Sequence, residues 1–143
     1  MHRTLSLLVV SAGVTGLLAA AGVDWKPVVD PYLKIQAALA SDTLEGVSAN
    51  AAAVAAAAAR LGAAGAGVAE AAKPVGAARD LKAARLAFMD LSETLVQAAG
   101  EALASDIRIA YCPMVKKRWL QTGDQIRNPY FGPEMRTCGV FKK

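Results

Sequence analysis

Histidine is nearly absent from this chain: the only one in 143 residues is His2. It lies in a stretch ordered like a secretory leader, with Arg3 in a short basic start, an apolar run from Leu7 to Leu18, and small residues at Ala19, Ala20 and Ala21. Cleavage near Ala21 is therefore expected to remove residues 1–21 as a signal peptide and to leave a periplasmic or secreted chain without histidine. Such a chain has no Ser-His-Asp or Cys-His catalysis, no histidine-ligated zinc and no histidine general base. A long apolar run is lacking too. Spanning a hydrocarbon core of about 30 Å takes about 20 apolar residues, and the run from Leu7 to Leu18 falls short of that, so a soluble mature chain with no transmembrane segment is expected. Cysteine is reduced to two, Cys112 and Cys138, both far from the cleavage region, which argues against lipoprotein processing.

Acidic residues are scarce at one end only. Residues 24–106 carry 7 basic and 10 acidic side chains, net −3, whereas residues 107–143 carry 8 basic and 2 acidic, net +6. The balance over the mature chain is too mild to call for a nucleic-acid partner. Both cysteines fall in the basic end, where positive surroundings are expected to lower thiol pKa values and favour thiolates.

Alanine is what the chain has in abundance. From Ala49 to Ala72 it fills 15 of 24 positions, so helix propensity is high while each buried side chain removes little apolar surface from water. Asp30-Pro31 reads as a helix start, an acceptor ahead of a proline, with Tyr32, Ile35 and Leu39 on one face as far as Ala40. Ser41, Asp42 and Thr43 offer caps for a second helix whose stripe is Leu44, Val47, Ala51, Val54, Ala58 and Leu61. Gly62, Gly65 and Gly67 predict a loop and then a short helix that Pro74 stops at Lys73. A phosphate cradle is excluded there, because neither Gly-Lys-Ser/Thr nor a strand accompanies the glycines. The strongest periodicity runs from Ala77 to Ala104, with Leu81, Ala84, Phe88, Leu91, Leu95, Ala98 and Ala102 on one stripe and Met89 beside it as core filler. The expected fold is mainly α: an antiparallel helical bundle of three to four helices over residues 22–106, with residues 107–143 as a small loop-rich, Cys/Met-containing C-terminal cap of the same domain.

Within the cap, Ile107, Ile109 and Tyr111 alternate with Arg108, Ala110 and Cys112, which predicts a short strand leading into Cys112; glycines and prolines break the remainder into turns. Each cysteine has a methionine close by, in Cys112-Pro-Met114 and Met135-Arg-Thr-Cys138. Thiolate and thioether donors select soft ions, above all Cu(I), whereas zinc takes thiolate with imidazole and calcium or magnesium takes oxygen. Cys112, Met114, Met135 and Cys138 are therefore candidate ligands for Cu(I) or Ag(I). Trp119 reads as the core of the cap or as a cover over the ion. The competing reading is a disulfide, which would close the segment between the cysteines and contribute about 3 to 4 kcal/mol by the chain-entropy argument. Both remain open, since only reduced thiols bind Cu(I). An enzyme is not expected: a thiol oxidoreductase calls for Cys-x-x-Cys, and these cysteines are 26 positions apart.

Tyr111-Cys-Pro-Met114, Trp119-Leu-Gln121, Asn128-Pro-Tyr-Phe-Gly132 and Met135-x-x-Cys138-Gly139, preceded by Tyr32-Leu-Lys-Ile-Gln-Ala-Ala-Leu39 and Leu91-Ser92, resemble an uncharacterised bacterial periplasmic family. That family is classed as a domain of unknown function and also occurs fused to periplasmic adaptor subunits of heavy-metal efflux pumps. The resemblance covers nearly all of the mature chain. It implies a helical envelope domain linked to copper or silver handling, with a heavy-metal efflux adaptor or another envelope protein as partner. A second function follows from the disulfide reading: a stapled structural or interaction module whose basic cap docks such a partner.

Overall fold

Pro27 sets the start of the first helix. The structure, a computed structural model, describes residues 22–143, and the expected leader, residues 1–21, lies outside the described residues. Helix α1 spans Lys26–Ala40 with proline in its first two positions, where the missing N–H belongs to donors that have no helical acceptor anyway. The Asp24 carboxylate accepts from the Lys26 N–H at 3.0 Å. Trp25, Val28 and Val29 are buried, so packing anchors a turn ahead of the expected start at Asp30-Pro31. Pro31 lies inside α1; it removes a single bond, to the Pro27 carbonyl, and the burial of Val28, Val29 and Tyr32 around it outweighs the loss.

The next boundary also moves. Thr43 Oγ1 accepts from the Glu45 N–H at 3.1 Å, forming a turn where a helix cap was expected. Helix α2, Val47–Ala59, starts later, after Gly46 in the left-handed region at φ 73°. Helix α3, Ala66–Ala77, follows a single 3-10 turn and runs through Pro74. Val75 beyond that proline is buried, so packing carries the helix past the expected stop at Lys73. Helix α4, Leu81–Ala99, is capped by Asp80, whose carboxylate accepts from the Ala83 N–H at 2.8 Å.

Ala84, Phe88, Leu91 and Leu95 of α4 are buried as the periodicity requires, and the stripe then passes to Ala99, leaving Ala98 and Ala102 exposed. Alternating steps of three and four average 3.5, whereas a straight helix turns every 3.6 residues, so the buried line drifts forward by one residue over its length. Met89 packs against the core as expected. The chain is mainly helical, and each helix packs on the next in sequence. Among the described residues no helix is long and apolar enough to cross a membrane.

The cap holds more regular structure than turn signals alone predict. Strands β1 (Arg108–Cys112), β2 (Lys117–Gln121) and β3 (Val140–Phe141) form an antiparallel sheet in the order β2-β1-β3. Ala110 pairs with Trp119 and Cys112 with Lys117 on one side, and Ala110 with Phe141 on the other. The fully buried residues of β1 are Ala110 and Cys112, while Ile107, Ile109 and Tyr111 are only half-buried. Directly paired residues share a face. The Trp119 ring fills the space opposite Ala110, so a small residue must stand there. On the other face, Lys142 lies 4.3 Å from the Tyr111 ring centre, a cation–π contact.

Candidate functional site at the sulfur end of the sheet

Asn128 builds the turn that carries Cys138. Fully buried, it donates from its backbone N–H to the Arg136 carbonyl at 2.7 Å and from Nδ2 to the Cys138 carbonyl at 2.7 Å, while Oδ1 accepts from the Tyr130 N–H at 2.8 Å. A buried amide with each bond made fixes a loop as firmly as a strand ladder would. The turn is closed by the Cys138 N–H on the Met135 carbonyl at 3.0 Å. Gly139 then passes so close to Trp119 that a Cβ there would lie 2.7 Å from the ring, and its φ is 150°. Only glycine fits that approach, and it delivers the chain to β3.

Gln121 holds the other side. Its Oε1 accepts from Trp119 Nε1 at 2.9 Å and from the Arg127 N–H at 3.0 Å, and its Nε2 donates to the Gln125 carbonyl at 2.7 Å. Gln36 of α1 donates to the Arg127 carbonyl at 2.6 Å, and Arg85 of α4 donates to the carbonyls of Pro129 and Leu39 and to Asp42. Tyr32 and Ser92 share a buried hydrogen bond of 2.7 Å, and the Leu120 N–H donates to Tyr32 Oη. The Tyr130 hydroxyl donates to the Arg118 carbonyl. Burial, ahead of every other influence, raises the pKa of Tyr32 and Tyr130, so both phenols stay protonated.

This frame brings two of the four candidate sulfur ligands together. Cys112 at the end of β1 is fully buried, Cys138 is half-buried, and both are free thiols. The two thiols are close enough for each to act on the other's charge. Met114 stands in the turn between β1 and β2, 65% exposed, and Met135 is half-buried in a 3-10 turn, Pro133–Met135, outside the packed core. Both thiols thus pack in or against the core, and the two methionines do not. Trp119 is fully buried, as core of the cap. Arg136 Nε, in the same turn as Cys138, is buried with no hydrogen-bond partner among the described residues.

The thiol chemistry departs from the expectation drawn from charge. Burial first, and then the neighbouring Cys112 thiol, push the Cys138 pKa above its ordinary 9.0. Several of the cap's cations are engaged elsewhere: Arg118 forms a two-oxygen pair with Glu93, Arg108 meets Asp124, and Lys117 lies 3.9 Å from Asp90. Net charge of a segment therefore does not set the potential at its buried thiols.

Among the described residues no group of three or more His, Cys, Asp or Glu side chains is placed to hold a metal ion. No family model, curated protein or solved structure matches the chain. The sequence reading missed the buried polar frame of Gln36, Ser92, Gln121 and Asn128. One signal was available: Gln36 follows Tyr32 by four positions on the buried face of α1, and a polar side chain on such a stripe must find a buried partner.

Proposed function

We propose that this chain is an exported soft-metal protein that holds one Cu(I) or Ag(I) ion between Cys112 and Cys138, with Met114 and Met135 as accessory thioethers, and serves metal handling or efflux in the cell envelope. The observation that carries the reading is the nearness of the two free thiols at the end of β1, each with a methionine two or three positions away in the chain. Two thiolates suit a soft monovalent ion, and the thioethers add donors without adding charge. A dithiolate complex of a monovalent ion is left with net negative charge; the unpartnered guanidinium nitrogen of Arg136 in the Cys138 turn is suited to offset it. The resemblance to a family fused to efflux adaptors supports the same reading.

Binding must displace the thiol protons. Because the Cys138 pKa lies above its ordinary value, affinity rises with pH across the neutral range. A competitive Cu(I) titration of the reduced protein tests the reading. One ion should bind, Cys112→Ser or Cys138→Ser should weaken binding by about 100-fold or more, and Met135→Leu by about tenfold. Equal affinities in all variants overturn it.

A second reading has its own support. Strand β3 is two residues long, and the Cys138 turn that leads into it lies near Cys112; a disulfide there would fasten the chain end and leave a stapled module able to dock an envelope partner. Intact mass of protein taken from the periplasm decides between them. A mass two hydrogens below the reduced value, without copper uptake after reduction, favours the staple.

A further inference from the structure

We propose that Met114 is the hand-off ligand of this site, the donor through which the ion passes from Cys112 and Cys138 to an acceptor protein presenting thioether sulfur; the inference rests on the soft-metal reading above. Cys112 has no exposed surface, and Cys138 and Met135 are half-buried, so of the four sulfur side chains only Met114, 65% exposed, stands in solvent. It sits two positions beyond Cys112 in a turn clamped on both sides by paired strands, since Cys112 is opposite Lys117 in the register. Lys116, in the same turn, holds a left-handed φ of 55°, which fixes the reversal. The exposed thioether therefore stands on a shaped turn two positions beyond the buried Cys112.

The division of labour follows from the donors. Thiolates bind a soft monovalent ion tightly but must be reprotonated when it leaves, whereas a thioether is neutral and joins or leaves the ion with no proton to move. In the transfer, Met114 sulfur bonds to the ion and acceptor thioethers add from the exposed side. The bonds to Cys138 and Cys112 then break, and each thiolate takes a proton from water. The ion stays monovalent throughout and no electron moves. Lys116 is exposed and makes no ion pair among the described residues, so an acceptor with a carboxylate beside its sulfur donors fits this turn.

The test uses the reduced mature protein loaded with Cu(I), a synthetic methionine-rich peptide as acceptor, and Met114→Leu beside Met135→Leu. Met114→Leu should keep the Cu(I) affinity within about threefold of wild type while slowing transfer by about tenfold or more, and Met135→Leu should do the reverse. Transfer from Met114→Leu at the wild-type rate, or an affinity loss as large as that of Cys138→Ser, overturns the proposal while leaving the soft-metal reading intact. Failure of the reduced wild type to bind Cu(I) defeats both. A second measurement needs no transfer. With peroxide, metal-free protein should form sulfoxide at Met114 ahead of Met89 and Met135, and redox-inert Ag(I) should protect Met114; a Met114 peptide oxidised equally fast with Ag(I) present overturns the proposal.

Discussion

Helices α2 and α3 and the C-terminal cap solve the same problem by different physics. Where α2 meets α3 the buried residues are Ala51, Val54, Ala58, Val68, Ala72 and Val75, and the side-chain hydrogen bond between them is Ser48 Oγ to the Gly76 carbonyl, at 3.0 Å. That contact is non-directional: it rests on close approach of small side chains, each burying little area. In the cap, Gln121, Asn128 and Tyr130 are buried and bonded to the backbone of three separate segments, at Arg118, at Gln125 and Arg127, and at Cys138. Directional bonds to buried carbonyls fix where a loop lies, which is what two neighbouring thiols need. The helices supply bulk, and the cap supplies position.

That contrast can be broken at the residue where the halves meet. Phe88 stacks on Tyr32 at 4.8 Å and faces Tyr130 at 6.3 Å, fully buried between α1 and the cap. Phe88→Asp is expected to cost more than about 4 kcal/mol, by loss of burial and by an unpaired buried charge. Chemical denaturation checks this, and a loss under about 0.5 kcal/mol, the level of surface sites, would mean that α4 presents another face. Asn128→Leu comes next. It keeps the number of side-chain heavy atoms but leaves the Tyr130 N–H and the Cys138 carbonyl without their partner, so about 3 kcal/mol should be lost. The matched change in the helices, Leu91→Met, keeps volume where nothing directional is involved and should cost under about 1.5 kcal/mol. Equal losses for the two changes would erase the distinction.

The same contrast explains what was legible in the sequence. Hydrophobic period finds α4 and the α2 stripe because burial is periodic. It misplaces the start of α1, because Trp25, Val28 and Val29 pack there and override the apparent cap at Asp30, and it stops α3 too early at Pro74 for the same reason. The sheet was half visible. Alternation marks β1 but does not say which face is buried, since the small residue facing Trp119 is fixed by a partner nine positions away in the chain. Soft-ligand chemistry singles out Cys112, Met114, Met135 and Cys138. That the thiols lie near each other while the methionines stand outside the packed core depends on the Asn128 turn, and side-chain-to-backbone bonds of that kind leave no periodic trace.

A smaller effect sharpens the boundary between α4 and the sheet. Burial raises the Glu93 carboxyl pKa, but the Arg118 side chain and backbone N–H more than reverse this and hold it below its ordinary 4.5. A depressed carboxyl contributes stability that is present above the unfolded pKa and lost as pH falls through the folded one. Glu93→Gln should therefore cost about 1 to 2 kcal/mol at neutral pH, and wild type and variant should converge below pH 4.5. A constant gap from pH 7 to pH 3 would show that the charge of Glu93 does not matter.

The smallest effect belongs to an ion pair that lies within the cap yet has no part in its frame. Arg108 and Asp124 approach to 3.1 Å, but the Asp124 side chain is 97% exposed. Water competes fully for that carboxylate, and Arg108 keeps its contact with the Phe141 ring at 3.5 Å whether or not the acid is present. Asp124→Asn should change stability by under about 0.5 kcal/mol, and added salt should remove the difference. The thiol pair provides the sharper readout, because Asp124 makes no bond to the Asn128 turn: Cu(I) affinity should be the same in Asp124→Asn as in wild type, while Asn128→Leu should lower it by letting Cys138 move away from Cys112. If Asp124→Asn weakened Cu(I) binding as much as Asn128→Leu, position at the thiols would depend on the cap's charges, and the directional frame would lose its claim to set the site.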